Sequence, residues 1–193
     1  MAVIDAQVHA YERNHPGRPW AGHLHGPASA TGEEMVTAMD AVGVDAAIIV
    51  STFNLYRYDP SYALEVYAKY PERFRVVKPI DPANPAVDEV LADWAKTKGA
   101  VGVRLMLREE QISDPTDPRL NRAFAAAGRH GLPSISCAGG GWMTARKWCG
   151  ETPTLSSSST ISVCCNPTSP RPWRSRGPIF RSCWRSRPTR MCV

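Results

Sequence analysis

The chain has 193 residues and a formal net charge of +5. No run is long and apolar enough to span a bilayer. The start, Met1-Ala2-Val3-Ile4-Asp5, lacks the basic residues and apolar run of a signal peptide. The charge is unevenly distributed. Residues 1–133 carry 14 Lys+Arg against 17 acids, with all five His and no Cys, whereas residues 134–193 carry nine Lys+Arg against one acid, with all six Cys and four of the six Trp. A cysteine-free, acidic first part predicts a cytoplasmic protein. The cysteines of the second part are unevenly spaced, make no CxxC pair and have no His beside them, so they fit neither a disulfide scaffold nor a zinc module.

In chain order, residues 2–8 read as a strand leading into a long Gly/Pro/His loop over 9–30. Thr31-Gly32-Glu33-Glu34 is a capping box, which predicts a helix over 34–42 that Gly43 ends. Residues 45–50 (Asp-Ala-Ala-Ile-Ile-Val) form the second strand. Asp59-Pro60-Ser61 opens a helix through Tyr70, closed by Pro71. The third strand covers 74–80, and Asn84-Pro85 starts a helix that runs to Lys98-Gly99. A fourth strand follows over 100–107. Asp117-Pro118 starts a helix through Arg129, Gly131 stops it, and Leu132 begins a fifth strand.

Strands alternating with helices at this spacing predict a parallel sheet with right-handed crossovers. It is either an open doubly wound sheet or a barrel. No GxGxxG follows the first strand, which argues against dinucleotide binding. Four strand–helix units and a fifth strand predict an α/β fold, the N-terminal half of a (β/α)8 TIM barrel. Asp5, Gln7 and His9 alternate along the first strand and are expected to share its inward face, with Ile4, Ala6 and Val8 turned towards the helices. Three polar residues on a buried face need partners, either a ligand or an internal hydrogen-bond network. His9 lies at the strand's C-terminal end, where such barrels carry their active sites.

These residues carry a resemblance. Val3-Ile4-Asp5-Ala6-Gln7-Val8-His9 resembles the Asp-x-His-x-His signature of the amidohydrolase superfamily. More narrowly, the chain is similar to its amidohydrolase-related group of TIM-barrel metal-dependent hydrolases, which includes L-fuconolactonase and 2-pyrone-4,6-dicarboxylate lactonase. Further matches are Arg18-Pro19-Trp20, Met39-Asp40-Ala41-Val42-Gly43-Val44-Asp45, Tyr70-Pro71-Glu72-Arg73-Phe74 and Gly102-Val103-Arg104-Leu105, so the resemblance covers residues 2–133. It implies attack of water on a lactone, ester or amide carbonyl, with a strand-8 aspartate as general base. It also implies a divalent metal, zinc or similar, with His9 and Gln7 as ligands. Gln7 stands where the signature has histidine, and an amide oxygen is a weak zinc ligand; metal-independent hydrolysis, or a weak metal site, is therefore slightly favoured.

By the same resemblance His9 and Arg104 are the expected catalytic residues. Trp20, Arg104 and Tyr56 are the expected substrate-binding residues. Arg104 would hold a substrate carboxylate or polarise the carbonyl; an internal salt bridge to Asp5 or another acid is the alternative. Trp20 and Tyr56 either wall the pocket or pack the core. Lys78 is a weaker site candidate, solvated or paired in the core. His23 and His25, two apart in the loop, have chelating spacing but read first as surface residues. His15 and His130 read as structural or exposed.

The codon table offers a reason for the change at residue 134. Most Ser codons begin TC, and a one-base shift turns TCN into NTC, which encodes Phe, Leu, Ile or Val. Shifted in this way, residues 156–165 allow Leu-Val-Val-Val-Asp-His-Leu-Gly-Leu-Leu, and residues 134–139 allow Val-Asn-Leu-Leu-Cys-Trp. The first resembles the family's strand-6 motif. Residues 1–133 are therefore expected to form a partial barrel domain, and residues 134–193 a basic Ser/Arg/Pro/Cys-rich tail in a shifted frame, without stable structure. Such a chain is expected to be truncated and inactive, and to self-associate through open sheet edges. Its partner is expected to be a small-molecule substrate, with no specific nucleic acid and no membrane. The alternative is a non-catalytic module whose tail, with Arg171, Arg174, Arg176, Arg181, Arg185, Arg187 and Arg190 among Pro, Ser and Trp, binds nucleic acid.

Overall fold

The computed structural model describes residues 2–108, 117–139 and 161–163. Eleven elements follow one another: β1 (Ile4–Val8), α1 (Gly32–Val42), β2 (Ala46–Val50), α2 (Phe53–Tyr56), α3 (Ser61–Lys69), β3 (Phe74–Ile80), α4 (Val87–Lys96), β4 (Ala100–Arg108), α5 (Pro118–Arg129), β5 (Ser134–Gly139) and β6 (Ile161–Val163). All adjacent strands pair in parallel, in the order β1-β2-β3-β4-β5-β6.

That order decides between the two architectures. A doubly wound sheet reverses direction at a switch point, so its strand order is not sequential. Here every new strand is added on the same side. With right-handed crossovers this puts all the helices on one face and curls the sheet towards the other. The result is a half-barrel.

Local chemistry explains the element ends. Thr31 caps α1: its hydroxyl accepts from the Glu34 N–H, and the Glu34 carboxylate accepts from the Thr31 N–H. This satisfies two donors at the helix start that have no intrahelical partner. Gly43, at φ 74°, closes the helix in the left-handed region. Asp117 caps α5 through the Arg119 N–H, and Pro118 occupies the first turn. Gly99 adopts φ 85° ahead of β4, and a Cβ there would lie 2.7 Å from the Tyr67 ring. Only glycine meets both conditions.

Two segments that stood out in the sequence meet below the sheet. Arg73, just before β3, donates from Nη2 to Asp40 at 2.8 Å and to the Val44 carbonyl at 3.0 Å, and from Nε to the Asp45 carbonyl at 2.8 Å. Asp45 in turn accepts from the Val3 N–H at 2.6 Å. The run Met39–Asp45 and the Pro-Glu-Arg-Phe turn are thus one clasp joining the N-terminal ends of β1, β2 and β3.

The main core lies between the sheet and the helices. It contains Ala47 and Ile49 of β2, Phe74, Val76 and Ile80 of β3, Val103 and Leu105 of β4, and the apolar sides of α3, α4 and α5. Tyr62 and Val66 are buried in it, and Leu64 and Tyr67 pack against it, as their helical spacing predicts. Trp94 of α4 crosses this layer and donates from Nε1 to the buried Gly102 carbonyl at 2.9 Å. A second cluster, Phe53 and Met106 with Tyr58 against them, is separate from the first. Met106 alternates with Leu105, so this cluster lies on the concave face.

Three details depart from the expected elements. The short helix α2 was not predicted: it is four residues long and follows β2 after a two-residue gap. The fifth strand starts at Ser134, not at Leu132, and pairs with β4 over Val103 to Arg108. Pro133 explains the later start, because its carbonyl accepts from the Val103 N–H while the ring offers no donor of its own. A sixth strand, Ile161–Val163, pairs with β5. The sheet therefore continues past residue 133 into the segment expected to lack structure. Residues 140–160 and 164–193, with most of the basic tail, lie outside the described residues.

Candidate active site

The C-terminal ends of β1 and β2, the segment after β2 and the concave face of β4 supply the candidate site. His9 directly follows β1, and its Nδ1 lies 2.8 Å from the carbonyl of Val50, the last residue of β2. A carbonyl only accepts, so Nδ1 carries the proton and the Nε2 lone pair is left for a ligand. Burial pushes the His9 pKa below its ordinary value and the Arg104 charge lowers it further, against the opposing pull of the Val50 carbonyl. The imidazole is neutral near pH 7.

Arg104 stands in the middle of β4, in register with Pro79 of β3 and Ile135 of β5. It alternates with Val103 and Leu105, which face the helices, so it points to the concave side. The residue is only 7% exposed. Its Nε has no hydrogen-bond partner, and Arg104 forms no ion pair among the described residues. An internal salt bridge to Asp5 is therefore not what holds it. The Asp5 carboxylate instead accepts from the backbone N–H of Gln7 at 3.0 Å.

That local bond accompanies a break in β1. Asp5 is in register with Ala47 and Val8 with Ile49, so three steps on β1 match two on β2. Ala47 and Ile49 both face the helices. Asp5 and Val8 therefore share the helix side, and the expected single face of Asp5, Gln7 and His9 is interrupted between residues 5 and 8. The reason is the extra residue, which flips the alternation.

The segment after β2 and the end of β4 add residues that the sequence reading did not single out. Thr52 follows β2, is buried, and has an unpartnered Oγ1. Phe53 and Tyr58, with ring centroids 5.2 Å apart, pack on Met106, two residues on from Arg104. The Arg57 guanidinium lies 5.3 Å from the Phe53 ring centroid. The site thus combines a neutral imidazole, a buried cation, a hydroxyl and an apolar wall. The Ser-Thr-Phe-Asn run directly after a barrel strand was the signal available for this.

Trp20 and Tyr56 lie elsewhere. The Trp20 Nε1 donates to the Glu12 carbonyl at 3.0 Å, and the Tyr56 hydroxyl accepts from the Glu12 N–H at 3.1 Å. Both rings belong to the helix-side core, with Tyr11 and Tyr62 as aromatic neighbours. They pin the β1–α1 loop to α2 and α3. Arg18 reinforces the pin by ion pairs to Glu12 and Glu65. Burial pushes the neighbouring Tyr62 hydroxyl up to about 12. Lys78 is on the helix side too, over the Trp94 ring at 5.7 Å, with burial lowering its pKa. His15 bonds to Glu12, and His130 lies 3.4 Å from Asp88. His23 and His25 are exposed on the loop.

Gln7 is exposed and precedes Val8, on the side that His9 also occupies. One imidazole and one amide oxygen do not make a zinc ligand set. Among the described residues no group of three or more His, Cys, Asp or Glu side chains is placed to hold a metal. His9 and Gln7 alone do not fit a closed metal centre.

A parallel half-barrel with polar groups at its C-terminal strand ends defines an enzyme-type α/β scaffold. The chain belongs to the amidohydrolase family, whose sequence pattern matches residues 4–175. A sequence comparison with curated proteins gives no match. Among solved structures, the chain resembles a probable 2-pyrone-4,6-dicarboxylic acid hydrolase from Acinetobacter baumannii, solved with citric acid bound. The TM-score is 0.64 at 16% identity, over 84% of this chain and 58% of that one. A second, from Pseudomonas putida and described as a putative hydrolase of the same acid, gives 0.58 at 20% identity over 71% and 48%. A 5-carboxyvanillate decarboxylase from Novosphingobium aromaticivorans, solved with manganese, gives 0.51 at 16% identity over 70% and 50%. At these identities the likeness establishes the fold. The chain spans about half the length of these structures. No helix among the described residues is long and apolar enough to cross a membrane.

Proposed function

We propose that this chain carries the opening half of a hydrolase site for a small lactone, ester or amide that bears a carboxylate, and that the 193-residue chain is itself inactive. The observation that supports the substrate class is Arg104. A guanidinium that is 7% exposed and has no ion pair among the described residues calls for an anion. A carboxylate fits its fork-shaped donor set. Neutral His9 presents an Nε2 lone pair beside it, and Thr52 adds a hydroxyl.

Water attack on the carbonyl needs a general base. His9, engaged at Nδ1 and depressed in pKa, is poorly placed to keep a proton taken from water. The described residues therefore bind and orient but lack a base, which supports the inactive reading. A frame change near residue 134 is its proposed cause. The metal requirement of a complete enzyme follows from ligands beyond His9 and Gln7.

Two measurements on the purified chain test this. Citrate and a pyrone dicarboxylate are expected to bind the parent chain and to lose at least tenfold in affinity with Arg104→Met, and no hydrolysis of the pyrone is expected. Binding that is indifferent to Arg104 would overturn the substrate class. Hydrolysis that His9→Ala abolishes would overturn the inactive reading.

A further inference from the structure

We propose that His23 and His25 form a chelating site for one divalent transition-metal ion of the imidazole-preferring kind, such as nickel(II), copper(II) or zinc(II). The two rings stand 4.9 Å apart between centroids and 87° to each other. Two imidazoles bound to one ion at about 2.0–2.1 Å, with an angle of about 90–110° between them, place their ring centroids about 4.5–5.2 Å apart. The observed separation falls inside that window.

The loop is built to hold this arrangement. Leu24, between the two histidines, packs against the main core, while both histidines are exposed. Ahead of them, the Ala21 N–H donates to the Leu55 carbonyl at 2.8 Å, and Arg57 reaches the Ala21 carbonyl at 3.4 Å. Gly22 passes so close to the Asn54 carbonyl that a Cβ would lie 2.6 Å from it. Behind them, the Tyr11 hydroxyl donates to the Pro27 carbonyl at 3.2 Å. A pair tied down on both sides loses less conformational freedom on binding than two histidines on a free loop.

No third His, Cys, Asp or Glu joins the pair among the described residues. The ion keeps water, or a ligand's oxygen, in its remaining positions. The site is distinct from His9, whose Nδ1 is committed to the Val50 carbonyl.

The test uses the full chain, tag-free, with its cysteines alkylated so that thiolates cannot compete for the ion. Calorimetric titration with nickel(II) is expected to give one equivalent, with affinity falling at least tenfold in His23→Ala and in His25→Ala and unchanged in His9→Ala. The copper(II) form is expected to show coupling to two nitrogen donors in its electron paramagnetic resonance spectrum, lost in the double variant. Because both side chains are exposed, circular dichroism of the variants should match the parent. Three results would overturn the proposal: no saturable binding, binding that survives the double substitution, or dependence on only one of the two histidines.

Discussion

Arg104→Met is the most informative single substitution, because its expected sign is opposite to that of most core changes. The guanidinium is 7% exposed, its Nε is unpartnered, and no acid is paired with it among the described residues. A buried ion costs several kcal/mol to desolvate, and exchanging buried ionic groups for apolar side chains of similar volume often stabilises by about 1–4 kcal/mol. Methionine retains most of the apolar stem and lies beside Met106, Phe53 and Tyr58. The expected gain is about 1–3 kcal/mol, and for a chain of this size each kcal/mol moves the thermal midpoint by about 2–4 °C. Urea unfolding in a buffer free of polyvalent anions measures it. Citrate at a hundred times the parent's Kd should add about 2.7 kcal/mol to the parent chain and at most about 1.4 kcal/mol to the variant. A loss of more than about 1 kcal/mol without added anion would refute the reasoning, since it would mean the guanidinium already has its partner.

The pH dependence follows from His9. Its folded pKa is depressed, so as pH falls below the ordinary value of about 6.5 the unfolded chain takes up the proton first. Stability is full above that value and declines as pH drops towards the folded value; urea midpoints between about pH 7.5 and 5 should show this slope, and His9→Gln should flatten it. Gly99→Ala combines φ 85° with a Cβ 2.7 Å from the Tyr67 ring, whereas Gly131→Ala has φ 66° in open space. Thermal melts should show a loss of about 2–4 kcal/mol for the first and about 1 kcal/mol for the second; equal losses would show that the ring gives way. Ser134→Val should stabilise by about 1 kcal/mol, because it removes a buried hydroxyl with no partner, and a net loss in urea unfolding would show that this hydroxyl is satisfied.

The fold was legible because its signals are local. Thr31 with Glu34, Gly43, Asp117 with Pro118, and the β-branched runs of β2 and β3 each mark an element by its own chemistry, and each mark holds. The parallel half-barrel followed from the alternation of strands and helices. The site was legible only in part. Arg104 and His9 come together because strand alternation and strand ends are local properties too. Trp20 and Tyr56 went to the helix-side core because Glu12, between them in space, ties both to one backbone unit, a contact that spans 44 residues for Tyr56. Asp5 turned away because one extra residue in β1 reverses the alternation, and a slip of that kind leaves no mark in composition. Thr52, Phe53 and Tyr58 were missed because α2 is too short to show a helical period.

The two faces of the sheet differ in how complete they are, and the difference bears on the reading of residues 134–193. On the helix side the cross-strand row runs Ile49, Val76 and then, one residue pair on, Lys78 with Val103. Lys78 is accommodated by the Trp94 ring. The next member of that row is Ser134, paired with Val103, 1% exposed and with an unpartnered Oγ. A serine selected for that place would be expected to carry a partner, since a lone buried hydroxyl costs about 1–3 kcal/mol. The shifted reading puts an apolar residue, valine among those allowed, at this very position. A parallel strand covered by α5 calls for an apolar residue there. A change of frame is our proposal for this serine; the family pattern itself runs through the position to residue 175.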